Sequence, residues 1–373
     1  GDVTYGHRFL SSGALKVASV DDYYQKIRKN FVIVDPAERR ALIKSQVENI
    51  AAAEGGIASL DEELLTEVTY LVEYPTALAG KFEEKYLELP AELVITPMRE
   101  HQRYFPVVSA AGQLMPVFIT VRNGNDEYID TVRYGNERVL RARLADAGFF
   151  FAEDRKVPLA DRVKDLKTVV FQEGLGTMYD KTQRIEKLAG AIAAEIGVSD
   201  DSRPVIQRAA YLAKADLVTA AVYEFTELQG TMGREYAKLS GEEAPVADAI
   251  FEHYLPRFAG DILPASRPGK VISIADKLDN IVATFSRGLI PTGSQDPYAL
   301  RRQALGIVNI IIEARWQLSL AKLLGQTMEL LAIDNLSRPK LTVEIKEFFA
   351  LRLRNVLSDE NIRYDIIDAV MAG

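Results

Sequence analysis

The sequence of 373 residues contains no cysteine. This absence excludes disulfide scaffolds, cysteine-ligated zinc, iron–sulfur clusters and thiol catalysis. Histidine is almost as scarce, because the chain has only His7, His101 and His253, which lie far apart in sequence. A zinc site of three histidines would need all of them, and no Ser-His-Asp order can be argued from so few.

Long apolar runs and targeting signals are also missing. No stretch approaches the roughly 18 apolar residues of a membrane helix, and the N-terminus has no basic region followed by an apolar run. We therefore expect no membrane contact and a cytoplasmic or organellar-matrix location. The chain does not begin with Met, so we also expect a fragment or a processed product.

The chain has no excess of positive charge. Its 45 Lys and Arg residues stand against 53 Asp and Glu residues, which gives a formal net charge of −8. A global electrostatic attraction to nucleic acid is thereby excluded, and any nucleic-acid surface must be a local basic patch. The glycines form no phosphate-binding loop, because Gly174-Leu175-Gly176 lacks a following Lys-Ser/Thr.

The first third of the chain predicts a mixture of helices and strands. Asp35-Pro36-Ala37-Glu38 predicts a helix start, with Asp as the cap and Pro in the first helical position, and Gly55-Gly56 predicts its end. Ser59-Leu60-Asp61-Glu62 repeats the capping-box pattern for a second helix. Two β-rich runs, 104–108 and 114–121, predict a hairpin.

The remainder of the chain predicts helices. Residues 126–153 predict one long helix, and nearly everything from Thr177 onward shows apolar residues every three or four positions. We therefore predict an α+β region followed by an all-α region. The predicted bounds are 1–165 for the α+β domain, 166–316 for the all-α domain and 317–373 for a helical extension.

One predicted helix carries an aspartate on its apolar stripe. Asp216 falls among the stripe residues, which are Ile206, Ala209, Ala213, Ala220 and Tyr223. A buried carboxylate is costly unless it is paired, hydrogen-bonded or bound to metal. Asp276, in a later helix, is a second candidate. Either the two aspartates form a site, or Asp216 is a structural hydrogen-bond acceptor and Asp276 a solvated surface charge.

Basic residues cluster at four places, often beside aromatic residues. The candidates for nucleic-acid contact are Arg99, Gln102, Arg103 and Tyr104; Arg138, Arg141 and Arg143; Arg155 and Lys156; and Arg301 and Arg302. Basic residues close to aromatic rings suit phosphate contact and base stacking. For the segment from Arg133 to Arg143, the alternative is a solvated helix face whose arginines pair with Glu137, Asp146 and Asp154.

Several long, ordered strings are unlike generic helix composition. They are HQRYFPV (101–107), GNERV (135–139), RLADA (143–147), FAEDRK (151–156), VFQEGLGT (170–177), EFTELQGTMG (224–233), PRFAGD (256–261) and DPYALRR (296–302). Together they resemble signatures of the family of β subunits of bacterial-type heterotetrameric glycyl-tRNA synthetases. The resemblance covers most of the chain and is weakest toward the C-terminus.

The resemblance implies a function in tRNA aminoacylation. In this family, which attaches glycine to tRNA at the expense of ATP, the α subunit carries the class II active site and the β subunit mainly binds and positions tRNA. The chain is then expected to bind tRNA(Gly) and an α subunit within an α2β2 assembly. It would carry no catalytic centre or cofactor of its own, with ATP and Mg acting at the α subunit. It would form the central part of a longer subunit.

The resemblance also implies a B3/B4-like domain followed by a helical domain of the HD superfamily. HD phosphohydrolases hold divalent metal with an upstream His, a His-Asp doublet and a distant Asp. Here the doublet position is occupied by Ala215-Asp216, so its histidine is missing. The upstream position falls near Tyr179-Asp180-Lys181, which also contains no histidine. Asp276 matches the distant Asp, and His253 falls near an accessory His of some HD proteins. Because carboxylates without imidazoles bind transition metals weakly, we expect no metal and an inactive HD domain kept as a tRNA-binding scaffold.

Two other functions stay open at this point. An active metal-dependent HD-type phosphohydrolase would need a metal between Asp216 and Asp276, and Ala215 in place of the doublet histidine argues against it. A structural module that only docks the α subunit would bind that subunit without binding tRNA.

Overall fold

The computed structural model describes residues 2–372, and side chains as far as residue 371. The chain divides after Ala152 into two compact units. The first unit combines helices with antiparallel strands, whereas the described part of the second contains helices and no strand. The predicted order of an α+β region and then an all-helical region is confirmed. The finer division at residues 165 and 316 stays a prediction.

The first unit contains six strands and five helices, the last of which continues to Asp154. The strands are β1 (Val3–Tyr5), β2 (Ala14–Lys16), β3 (Ile57–Ala58), β4 (Pro75–Lys81), β5 (Phe105–Val108) and β6 (Leu114–Asn123). The helices are α1 (Val20–Lys29), α2 (Pro36–Ala53), α3 (Glu62–Leu71), α4 (Ala91–Thr96) and α5 (Ile129–Asp154), with a 3-10 turn at Glu84–Glu88 and a π-helical turn at Pro97–His101.

The helix starts follow the capping residues of the sequence. The Asp35 carboxylate accepts a hydrogen bond from the backbone N–H of Ala37, and α2 begins at Pro36, as predicted. The second cap is Asp61 rather than Ser59, because the Asp61 carboxylate accepts hydrogen bonds from two first-turn N–H groups. Helix α3 therefore begins later than the capping-box pattern suggested.

An antiparallel sheet with the order β3-β5-β6-β4 forms the centre of the first unit. The predicted hairpin is confirmed as β5 and β6, which pair with Phe105 opposite Ile119. Strand β4 pairs with β6 along its length, and Gly80 lies opposite Phe118. A Cβ atom at Gly80 would lie 2.3 Å from the Phe118 ring, so only glycine fits there.

Alternating side chains of the sheet fill two separate cores. One face contributes Phe105, Val107 and Ile119 to a core with residues of α2 and α3. The other face contributes Phe118 to a core with Tyr104 and with Leu140 of α5. This period-two alternation buries both faces of β5 and β6 under helices.

Eleven helices build the described part of the second unit. They are α6 (Leu159–Arg162), α7 (Met178–Glu195), α8 (Arg203–Leu212), α9 (Ala220–Glu224), α10 (Thr231–Leu239), α11 (Ala244–Glu252), α12 (Arg267–Ser286), α13 (Leu300–Ala314), α14 (Leu320–Leu330), α15 (Arg338–Asp359) and α16 (Tyr364–Ala372). Short 3-10 turns occur at Val163–Thr168, Ala215–Val218 and Thr226–Leu228.

Helix α12 is the central element of the second unit. It packs against α7, α8, α11 and α13 and is buried on nearly every side. The apolar stripe predicted for it is confirmed, because Val271, Ile274 and Leu278 are buried. Among residues 2–372, no helix is long and apolar enough to cross a membrane.

The single helix predicted around Asp216 is wrong. Helix α8 ends at Leu212, a 3-10 turn holds Asp216, and α9 begins anew after the Thr219 cap. The helical period is therefore interrupted, and Tyr223 at the end of the predicted stripe is exposed.

Candidate functional site

Helix α12 brings three charged side chains into the core of the helical unit. Asp276, Lys277 and Asp279 are all at most 5% exposed. Buried charges persist only where opposite charges or hydrogen bonds compensate for lost water. Each of the three has such partners, contributed by α7 and by the segments that precede α9 and follow α11.

Two lysines flank the Asp276 carboxylate. The Lys181 ammonium lies 2.9 Å from its Oδ1, and the Lys214 ammonium lies 2.9 Å from its Oδ2. Burial alone would raise the pKa of Asp276, but the attraction of both ammonium groups holds that pKa well below its usual range. The expectation that Asp276 is a solvated surface charge is therefore wrong, since the carboxylate is buried between two cations.

Asp279 lies one helical turn beyond Asp276 and takes part in the same network. Its Oδ1 accepts a hydrogen bond from the Arg184 Nε at 2.6 Å, and its Oδ2 lies 3.0 Å from the Lys181 ammonium. Lys181 thus bridges both aspartates of α12. The pairing of α7 with α12 is therefore partly ionic.

Asp216 is fully buried and serves as a backbone acceptor. Its Oδ2 accepts hydrogen bonds from the N–H groups of Gly230, at 2.5 Å, and Gly233, at 3.2 Å. Burial raises the pKa of Asp216 to about 6, although these hydrogen bonds and the Lys214 charge oppose the shift. The reading of Asp216 as a buried structural acceptor agrees with this geometry. It also explains part of the EFTELQGTMG string, which supplies both donors.

His253 is buried close to these charges. Its Nδ1 lies 2.5 Å from the Ile250 carbonyl oxygen, so Nδ1 carries the proton and donates it. Burial, reinforced by the nearby Lys214 charge, lowers the pKa of His253 well below its usual value. His253 is therefore a neutral ring in this environment.

Lys277 has polar but uncharged neighbours. Its ammonium lies 2.8 Å from the Leu255 carbonyl oxygen and 2.8 Å from the Ser273 hydroxyl. Burial lowers the pKa of Lys277 to about 7, against the attraction of Asp276. No carboxylate lies within ion-pair distance of Lys277 in the part of the chain that the structure describes.

The residues at the HD positions do not fit a divalent metal. Two ammonium groups already hold the Asp276 carboxylate, and the Asp216 Oδ2 is committed to backbone N–H groups. Ala215 offers no ligand. Among residues 2–371, no three carboxylate or imidazole groups converge as metal ligands. A metal-dependent hydrolysis has no support from this donor set.

The arginine candidates of the first unit lie near the π-helical turn and on α5. Arg99 is exposed and lies 2.8 Å from Glu100, and Arg103, with a left-handed backbone at φ +59°, pairs with Glu67 at 2.6 Å. Gln102 is half-buried beside them. Tyr104 is only 3% exposed, so its ring, stacked on Phe118 at 4.6 Å, has no free face for a nucleotide base.

Helix α5 presents a basic face. Arg138 is exposed and has no ion-pair partner among residues 2–371, and Arg141 is exposed with Glu83 at 3.8 Å. Arg143 is half-buried and takes part in a further interaction within the chain. Arg138 and Arg143 line one shallow depression together with Asp146. Two arginines of this face thus keep guanidinium groups accessible to an anion.

The candidates of the second unit occupy two different places. Arg155 and Lys156 are exposed at the start of the unit, with Lys156 paired to Glu153 at 2.5 Å and Arg155 engaged in an interaction of its own. Arg301 and Arg302 lie in the first turn of α13, as predicted, although α13 begins at Leu300 rather than at Asp296. The Asp296 carboxylate caps that turn by accepting from the N–H groups of Leu300 and Arg301.

Two residues with buried polar roles, Lys181 and Asp154, were not predicted from the sequence. Lys181 lies four residues before Ile185 on the same helical stripe. A cation on an otherwise apolar face is the sequence signal that could have predicted a buried ion pair here. Asp154 was treated only as a possible arginine partner. Its buried carboxylate accepts hydrogen bonds from the N–H groups of Ala220 and Ala221, at 2.8 and 2.9 Å, and from the Tyr236 hydroxyl at 2.9 Å.

Known proteins similar to this chain agree on one family. The model of the family described as "Glycyl-tRNA synthetase beta subunit" matches residues 1–372. Proteins named "Glycine--tRNA ligase beta subunit" are 55% identical in Desulforamulus reducens and 51% identical in Clostridioides difficile and in Moorella thermoacetica. Each comparison covers 99–100% of this chain and 54% of the relative. The chain thus spans about half the length of the curated relatives it matches.

Proposed function

Since the chain belongs to the family of glycyl-tRNA synthetase β subunits, we propose that it binds and positions tRNA(Gly) for ATP-dependent aminoacylation at an α-subunit site. The observation that carries the proposal is the identity of 51–55% over essentially the whole chain to proteins named as this subunit. The chain then acts as part of a ligase without a catalytic centre of its own.

The assembly and location follow from the same premise. The partners are an α subunit, in an α2β2 enzyme, and tRNA(Gly). ATP and Mg act at the α subunit, and the location is the cytoplasm. The first unit is proposed to be B3/B4-like and the second an HD-like domain. In that domain, Lys181 and Lys214 take the place of a metal at Asp276.

The exposed arginines of α5 support contact with RNA. Arg138 and Arg141 lie three residues apart on the helix and present guanidinium groups to solvent. Guanidinium groups bind phosphates in a two-pronged geometry, and such contacts position a nucleic acid without reading its sequence. A chain with a net charge of −8 needs a local patch of this kind.

A salt-dependent binding assay tests the proposal. The 373-residue chain is titrated against labelled tRNA(Gly) transcript at several salt concentrations, with the double variant Arg138→Ala/Arg141→Ala beside it. We expect the variant to bind more weakly and to reduce the slope of log affinity against log salt by roughly one to two. The matched control is Arg28→Ala/Lys44→Ala, which removes two exposed charges elsewhere in the same unit.

Two results would overturn this proposal for the chain. One is the absence of tRNA binding by the folded wild-type protein at low salt. The other is binding that the control variant weakens as much as the α5 variant does. Co-purification with the α subunit in the absence of tRNA binding would instead favour a docking module.

A further inference from the structure

The helical unit contains a polar cavity of about 390 Å³ beside the Asp276 network. Helices α7, α12 and α13 line it, together with the segments that follow α8 and α11. The volume lies within the range of small-molecule sites, which runs from roughly 300 to 1,000 Å³. A ligand larger than a simple ion therefore fits.

Positive charge dominates the lining of this cavity. The lining contains five basic residues and a single acidic one, Asp276; the basic residues are Lys181, Lys214, Arg257, Lys277 and Arg302. Asp276 lies between Lys181 and Lys214, Asp279 also contacts Lys181 at 3.0 Å, and Asp261 lies 3.0 Å from Arg257. Lys277 and Arg302 have no carboxylate within ion-pair distance among residues 2–371. Because the pKa of Lys277 is lowered to about 7, the Arg302 guanidinium supplies most of the uncompensated positive charge that favours an anion.

Two buried donor groups in the lining have N–H or O–H bonds without an acceptor among the described residues. The Lys214 ammonium, 4% exposed, has the Asp276 Oδ2 as its one hydrogen-bond acceptor in the described part of the chain, although an ammonium group offers three N–H donors. The buried Tyr254 hydroxyl has no hydrogen-bond partner among the described residues, and its ring lies 4.0 Å from the Lys214 nitrogen. Unsatisfied buried donors are costly and call for an acceptor.

Aromatic and amide groups accompany the cations. Phe171 and Tyr254 contribute rings to the lining, and Gln229, Asn280 and Gln303 contribute amides. The ammonium groups of Lys181 and Lys214 lie 4.8 and 4.0 Å from the centroids of these two rings. Amide groups suit the polar edge of a base. This combination favours a nucleotide over inorganic phosphate.

We propose that this cavity binds a nucleotide phosphate, with Lys214, Tyr254 and Arg302 donating hydrogen bonds to the phosphate oxygens. For a free mononucleotide the proposal goes beyond the function in aminoacylation, whereas for an RNA strand it rests on the proposed binding of tRNA. The phosphate belongs either to a free mononucleotide or to an RNA strand that enters the cavity.

Calorimetric titration of the 373-residue chain tests this site. The probes are AMP, adenosine, inorganic phosphate and a single-stranded RNA hexamer, each at low and moderate salt. We expect AMP to bind more tightly than adenosine, and salt to weaken its binding. Arg302→Ala, at an exposed position, should weaken AMP binding about tenfold or more, and Arg302→Lys should weaken it less. The matched control Arg267→Ala, at an exposed arginine outside the lining, should leave it within about twofold.

Four further results of these titrations would each support or overturn the proposed phosphate site. Binding of the hexamer but not of AMP, with the same sensitivity to Arg302→Ala, supports the site and assigns the phosphate to RNA. Equal affinity for adenosine and AMP overturns the proposal, because the phosphate would then contribute nothing. Absence of binding for every phosphate-bearing probe, or equal effects of the Arg302 and Arg267 variants, overturns it as well.

Discussion

Lys214 and Asp276, 62 residues apart in sequence, form a buried ion pair at 2.9 Å in the helical unit. The pair includes Asp276, the residue for which the proposed HD likeness predicts a metal-binding role. Lys181 contacts the other carboxylate oxygen, so a single aspartate separates two buried ammonium groups. The two lysine side chains therefore provide the positive charge that a metal ion would otherwise bring to Asp276.

Neutralising the Asp276 carboxylate should lower the free energy of unfolding more than removing the Lys214 ammonium group. Asp276→Asn leaves two ammonium groups buried side by side, and we expect a loss of about 3–5 kcal/mol in the free energy of unfolding. Lys214→Met leaves the Lys181 pair intact and should cost at most about 2 kcal/mol. Urea denaturation measures both, with Lys340→Met as an exposed control. A larger loss for Lys214→Met than for Asp276→Asn would contradict this reading of the network.

Asp154 should stabilise the helical unit by holding the first turn of α9. Asp154→Ala removes the acceptor of two backbone N–H groups and of the Tyr236 hydroxyl, and we expect a loss of about 2–4 kcal/mol in the free energy of unfolding. Tyr236→Phe removes the hydrogen bond from its hydroxyl to Asp154 and should cost about 1 kcal/mol. The double variant should lose less than the sum, because both changes break one contact. Strict additivity in thermal or urea unfolding would argue against a shared hydrogen bond.

Asp216 should give the unfolding free energy a specific pH dependence. Burial raises its pKa to about 6 in the folded chain, above the ordinary value of 3.8. The protonated carboxyl therefore favours folding at low pH, and this contribution is lost as the pH rises from about 4 to about 6, with a total of about 3 kcal/mol. Asp216→Asn keeps an acceptor oxygen but cannot ionise. The difference in unfolding free energy between wild type and variant should change across this window and stay flat above pH 7; a constant difference would refute the assignment.

Two glycines of the helical unit should respond oppositely to alanine. A Cβ atom at Gly233 would lie 2.9 Å from the Asp216 Oδ2 and 2.8 Å from Ile250, so Gly233→Ala should destabilise the unit by about 1–3 kcal/mol. A Cβ atom at Gly190, within α7, would meet no described atom within 4 Å. Gly190→Ala should therefore stabilise the unit by about 0.5–1 kcal/mol. Thermal unfolding of the two single variants checks the opposite signs.

The sequence predicted helices and strands well where each depends only on residues close together in the chain. The Asp35 cap, the long helix α5 and the hairpin of β5 and β6 each depend on residues that are neighbours in sequence. Strand β4 was not predicted, because its pairing with β6 joins residues some 40 positions apart and its small residues carry little alternation. The interruption after α8 was missed for a related reason, since small residues there fit a helix and a turn alike.

The sequence indicated the aspartates of the candidate site but not their hydrogen-bond and ion-pair partners. A carboxylate on an apolar stripe identified Asp216, but its acceptor role depends on Gly230 and Gly233, whose N–H groups have no sequence signature. The sequence leaves Asp276 open between a site residue and a solvated charge, because its cations come from α7 and from the segment before α9. Pairing across such separations is a property of packing, and residue types alone do not specify it.

The hydrogen bonds of Asp154 also determine where the helical unit can be cut. A recombinant fragment that starts at residue 166 would lose this carboxylate and leave the Ala220 and Ala221 N–H groups without their acceptor. It would also lose Leu159 and Val163, which are buried. The residues from Asp154 to residue 166 are thus needed to stabilise the downstream helices. A recombinant fragment of the helical unit should therefore begin before Asp154.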